Sequence, residues 1–242
     1  MKIGILTLRL FKNYGGILQN YALSRFLQKN GYDVETINIV WSYQLNGVKK
    51  YFVWLKRLVR NMLIGKWYSL DEEKILRNNE LVAAQRVNAF KEKNIPLSQK
   101  VYSLPGADFS DISNKYDTII VGSDQVWRPK YTGGIEKYFL SFADNRIKKI
   151  AYSASFGTDK NEYSFYEKWV CGKLIKRFDA ISVREESAIS LIREQLHWDV
   201  DVIQTLDPTM LLDITDYKSL VGQVVNNNKI FVYILDSSVQ KI

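Results

Sequence analysis

A chain of 242 residues, 46% apolar and 25% charged, is long enough to bury a sizeable core, and an aromatic content of 13% excludes a disordered chain. The single cysteine, Cys171, excludes an intrachain disulfide, and the apolar run after Met1 stops at Arg9, too soon for a signal-peptide core or a membrane span, so a cytoplasmic location is expected. A formal charge of +8 suits nucleic acid, an anionic membrane surface or an anionic substrate and does not choose among them.

Residues 2–8 are apolar and partly β-branched; Gly15 and Gly16 follow, and Ile17, Leu18, Tyr21, Ala22, Arg25 and Phe26 recur at helical spacing up to Gly31. With a strand in "YDVETINIV" (32–40) this makes a βαβ unit with parallel pairing. From about 48 to 94 the strand signal gives way to "VKKYFVWLKRLVRNMLIGKW" and "EEKILRNNELVAAQRVNAFKEK", read as a helical insert. Strands resume at 116–122, 148–155 and 179–183, with helices around 162–178 and from about Glu186 to Leu196. "DVDVIQTLDPTMLL" adds a strand broken at Pro208, and "KIFVYIL" (229–235) a last one. The expectation is an α/β, Rossmann-like parallel sheet with helices on both faces. It occupies residues 1–222, and 223–242 form a linker and the first strand of a further domain whose flanking elements the chain does not supply.

Four strand ends carry polar or glycine-rich residues, where open parallel sheets bind ligands. In "NYGGILQNYAL" (13–23), Asn13, Tyr14, Gly15, Gly16 and Gln19 mark a strand-to-helix turn. Its spacing fits neither the dinucleotide fingerprint nor a Walker loop. An anion-receiving turn and a plain steric one both remain open. "VGSDQVW" (121–127) ends a strand in Gly122, Ser123, Asp124 and Gln125. Asp124 is a candidate base or orienter, or a helix cap, and Trp127 either stacks on a sugar or packs in the core. "SASFG" contributes Ser155, and "SVREES" contributes Arg184, whose guanidinium can grip a carboxylate or phosphate or pair with a neighbouring acid. His197, the only histidine, lies near a helix end and reads as structural or surface; without a second histidine or a cysteine pair no zinc site is expected.

On the helix 48–67, winding places Lys49, Lys50, Lys56, Arg57 and Arg60 opposite Val48, Phe52, Leu55, Val59 and Met62. This face is either simply solvated or a contact with anionic lipid at the inner surface of the cell membrane. No reading module for nucleic acid accompanies it, so no nucleic-acid partner is expected.

"NYGGILQNYAL", "VGSDQVW", "KKIAYSASFG", "ISVREES" and "LDPTMLL", in this order over Met1 to about Leu212, resemble the polysaccharide pyruvyl transferase family. The resemblance implies one half of a GT-B-like two-domain architecture. It implies transfer of a pyruvyl group from phosphoenolpyruvate, the donor substrate, to a sugar of a capsule, exopolysaccharide or cell-wall polymer or its lipid-linked precursor, with no cofactor. It also carries a role in donor binding to Arg184. The family's catalytic histidine belongs to the second domain, has no counterpart in this chain and is not assigned to His197; the chain alone is therefore expected to have little or no transferase activity. Two other classes stay open: a GT-B sugar-nucleotide glycosyltransferase, and a non-catalytic glycan- or membrane-binding remnant.

Overall fold

The computed structural model describes residues 1–11, 13–41, 85, 87–104 and 106–221. Its strands are β1 (Lys2–Leu6), β2 (Asp33–Trp41), β3 (Leu97–Leu104), β4 (Thr118–Val121), β5 (Lys148–Ala154), β6 (Ala180–Val183) and β7 (Ile203–Gln204). All neighbouring strands pair in parallel, in the order β3-β2-β1-β4-β5-β6-β7. This is the Rossmann-like sheet expected from the alternation of apolar runs and helical periods.

β1 explains the arrangement. Ile3 and Ile5 face one way and pack with Leu23, Val34 and Ile120, whereas Leu6 joins the larger cluster with Ile37, Ile119 and Val121. A strand covered on both faces is apolar throughout, and the burial of all four positions from Ile3 to Leu6 follows. The helix Tyr14–Lys29 returns the chain to the start of β2, where Asp33 pairs with Lys2. The order then jumps: β4 lies on the other side of β1, with Ile3 opposite Thr118. The sheet therefore has its switch point between β1 and β4, and their C-terminal ends flank a crevice.

β3 is an element that hydrophobic patterning does not reveal. It lies at the edge of the sheet, pairs with β2 across an irregularity between Thr36 and Asn38, and leaves Gln99, Lys100 and Val101 exposed. The stretch read as an insert is the parallel crossover from β2 to β3: residues 87–94 are helical and lead through Pro96 into β3. The helix over 48–67, with its basic residues from Lys49 to Arg60, and the strand over 229–235 lie outside the described residues.

Under the β4 and β5 ends sits an aromatic core. Trp127 is completely buried, stacks on Phe139 at 5.0 Å between centroids, and donates its indole N–H to the Tyr138 carbonyl at 3.2 Å. Tyr163 donates its hydroxyl to the Trp127 carbonyl at 2.6 Å. No described helix is long and apolar enough to cross a membrane. The chain divides into Met1–Leu211 and Leu212–Ile242; in the second unit the described residues include a short helix, Ile214–Lys218.

Candidate active site

The crevice between β1 and β4 is built first by Asn13. It caps the helix Tyr14–Lys29 by accepting from the Gly16 amide at 3.2 Å, and its own amide donates to Asp124 Oδ2 at 3.2 Å. Asp124 follows β4 through a cis Gly122–Ser123 peptide and has φ +67°. Its Oδ1 accepts from the Gln125 amide at 2.8 Å. Its carbonyl accepts from the Val126 and Ser155 amides at 2.8 and 3.1 Å, which ties the β4 and β5 ends together.

Two glycines make this possible. A Cβ on Gly122, at φ +130°, would lie 2.1 Å from the Tyr152 carbonyl oxygen, so no other residue fits. A Cβ on Gly16 would lie 2.8 Å from Asp124 Oδ2. The turn is thus occupied by the protein's own acid, with Gly16 making room for it and Asn13 bonding to it. Burial, the largest effect, pushes the Asp124 carboxyl up; nearby Asp207 adds to this, while the Gln125 amide, Arg184 and Asn13 oppose it.

The second part of the site comes from β5, β6 and the turn after β7. Arg184 donates from Nε to Glu185 Oε1 at 2.7 Å and from Nη2 to Ser155 Oγ at 3.4 Å, and its Nη1 lies 3.6 Å from Asp207 Oδ2. The last distance is an ion pair too long for a hydrogen bond. Ser155 Oγ in turn donates to Glu185 Oε1 at 3.0 Å and accepts from the Gly157 amide at 2.9 Å. Asp207 is held by its own turn, accepting at Oδ1 from the Thr209 amide and hydroxyl at 3.0 and 2.7 Å. Its Oδ2 accepts from Gln19 Nε2, so one carboxylate joins the first helix to the β6 cation.

Of the residues singled out in the sequence, Asn13, Gly16, Gln19, Asp124, Ser155 and Arg184 converge on this network. Tyr14 and Gly15 are exposed at the start of the helix. Gly122 and Ser123 are buried beneath Asp124. Gln125 accepts from Arg128 Nη1 at 3.2 Å and lies against Gly157. Of the two readings of Trp127, packing is the one realised: a fully buried indole has no face for a sugar. His197 is exposed at φ +54°, next to the buried Trp198. Glu185 is the neighbouring acid that pairs with Arg184, as one reading of "SVREES" expects; Asp207 is a member of the network that the sequence does not mark as one. The motif "LDPT" carries the signal for Asp207, since Asp before Pro and Thr favours a side-chain-to-backbone turn, but its ties to Gln19 and Arg184 exist only in the fold.

Two polar atoms near the network have no partner: Ser123 Oγ and Gln19 Oε1 are buried without a hydrogen bond. Asn20 Nδ2 and Ser153 Oγ, elsewhere in the interior, are likewise buried without a partner, and each such group costs folding about 1–3 kcal/mol.

A family model described as polysaccharide pyruvyl transferase matches residues 13–241, nearly the whole chain. Comparisons with curated proteins and with solved structures return no match. The match spans every element that builds the network, from the Asn13 cap to the Asp207 turn. This chain belongs to the polysaccharide pyruvyl transferase family.

Proposed function

We propose that the chain builds one wall of the active site of an enzyme that moves the enolpyruvyl group of phosphoenolpyruvate onto a sugar of a polysaccharide or lipid-linked glycan, closing a pyruvate ketal. A GT-B-like partner domain would form the facing wall. In this chemistry C3 of the donor gains a proton and one sugar hydroxyl adds at C2. A second hydroxyl of the same sugar then displaces phosphate. The two hydroxyl protons balance the one gained by C3 and the one leaving with phosphate.

The observation that carries the reading is Arg184, a half-buried guanidinium at the strand ends whose Nη1 meets Asp207 only at ion-pair distance. It can take the donor's carboxylate or phosphate in place of that contact. Asp124, raised by burial, is suited to carrying a proton to or from the reacting atoms.

Thermal unfolding with added ligand tests this. Phosphoenolpyruvate at a hundred times its Kd raises stability by about 2.7 kcal/mol, a shift of roughly 5–10 °C for a domain of this size. Stabilisation by nucleotide sugars and not by phosphoenolpyruvate would replace the reading with a glycosyltransferase.

A further inference from the structure

The helix Phe165–Ile175 crosses from β5 to β6 and buries Cys171 and Ile175. At about 100° per residue, Phe165, Tyr166, Trp169, Lys173 and Lys176 fall on the opposite, outward side. Phe165 is 89% exposed, Tyr166 69% and Trp169 54%. The Lys173 ammonium lies 3.7 Å from the centre of the Trp169 ring, and Lys176 is exposed one turn beyond. Packing within the described residues does not account for three large aromatics on the outer side of one helix.

The two acids nearest this face in the chain are both engaged. Glu167 is turned back onto its capping partner Ser164, accepting from the Ser164 amide and hydroxyl at 2.8 and 2.7 Å. Glu162, on the preceding loop, is held by Arg128 at 3.0 Å and Lys130 at 2.8 Å. The outward arc therefore presents aromatic rings and lysines with no acid among them. This pairing suits the headgroup region of an anionic bilayer, where Trp and Tyr partition and lysines meet phosphates. A glycan would need a concave surface with amide or carboxyl partners, and the five residues offer neither.

We propose that the Phe165–Lys176 face docks the protein on an anionic membrane surface. The helix runs back from the C-terminal end of β5 to the start of β6, so Phe165 and Tyr166 lie toward the edge that carries Asp124 and Arg184, and Lys173 and Lys176 toward the other. The inference is independent of the catalytic reading and rests on none of the network residues.

The test is co-sedimentation of the full chain with phosphatidylcholine vesicles with and without phosphatidylglycerol. Binding is expected only with the anionic lipid and weakens with salt. Lys173→Gln and Lys176→Gln each lower partitioning about fivefold, and the double variant Phe165→Ser, Trp169→Ser abolishes it. Trp169→Phe keeps binding but loses the quenching of its fluorescence by lipids brominated in the acyl chain. Circular dichroism of each variant separates lost binding from lost fold; if the serine variant does not fold, the glutamine variants and Trp169→Phe decide. Three results overturn the proposal: no binding by the parent chain, equal binding by the lysine and aromatic variants, or an aromatic-dependent dimer or glycan complex in place of vesicle binding.

Discussion

Two clusters of charge lie at opposite edges of the sheet, and they are built in opposite ways. At the N-terminal edge, Glu35 of β2 accepts from Lys2 at 3.1 Å, from Lys115 at 2.8 Å and from the Tyr116 hydroxyl at 2.8 Å. Burial works to raise its carboxyl, but the bonds from Lys115, Tyr116 and Lys2 prevail and hold it below the usual range. At the C-terminal edge, Asp124 is raised by burial despite its amide partners. There Arg184 faces both Glu185 and Asp207, and Ser123 Oγ lacks a partner. One cluster satisfies its carboxylate from within the protein and serves the fold. The other leaves capacity unused, and that capacity is what a ligand can take up.

The comparison breaks most clearly at Arg184. Arg184→Gln removes the cation and is expected to cost about 2–5 kcal/mol of donor binding, which cuts the thermal shift with phosphoenolpyruvate to about a third or less. The melting temperature without ligand should barely move, because Glu185 and Asp207 stay open to water. A large drop in the unliganded melting temperature would show that Arg184 belongs to the fold, as Glu35 does. Glu35→Gln is the converse. It replaces the charged acceptor shared by the Tyr116 hydroxyl and two lysines with a single neutral amide oxygen, at a cost of about 1–3 kcal/mol in urea unfolding, and leaves the donor-induced shift intact.

How much of this was legible in the sequence depends on the kind of signal. β1, β4, β5 and β6 are apolar runs because parallel strands are covered on both faces, and they read directly. β3 did not. As an edge strand it places Ser98, Gln99 and Lys100 in succession, and only pairing with β2 makes it a strand. Asn13, Asp124 and Arg184 were recognisable because each follows an apolar run, where the chain turns out of the sheet. Trp127 was ambiguous, since its direction depends on the turn through Gly122 and Ser123 that sequence does not specify. Asp207 was visible only as a turn former: its partner Gln19 is 188 residues away in the chain, a distance no local pattern spans.

A smaller effect is expected at Gly16. In Gly16→Ala the new Cβ meets Asp124 Oδ2 at 2.8 Å, so the carboxyl must move away from Asn13, whereas alanine gains up to about 1 kcal/mol over glycine in a helix. The two nearly cancel in stability. The displacement should instead show as a change in the Asp124 titration followed by carboxyl carbon NMR; an unchanged titration would mean that Gly16 does not position the acid.

The smallest expected change is in the pH dependence of Asp124→Asn, and its sign separates the two clusters. Asp124 is raised in the folded protein, so the folded state holds its proton more tightly than the unfolded chain does. Its contribution favours folding below the unfolded value of about 3.9 and is lost as pH rises through the folded value. Relative to the parent chain, Asp124→Asn therefore gains stability as pH rises from about 4 toward 7. Glu35 is lowered, so its contribution is present above the unfolded value of about 4.3 and lost as pH falls through the folded one. Relative to the parent chain, Glu35→Gln loses stability as pH rises from the folded value to about 4.3, a window below that of Asp124. Stability curves of the two variants, each subtracted from that of the parent, should slope in opposite directions, that of Glu35→Gln below about pH 4.3 and that of Asp124→Asn above about pH 3.9. Parallel slopes would mean that burial at the crevice does not govern Asp124, and that the unsatisfied character of this edge does not extend to its carboxyl.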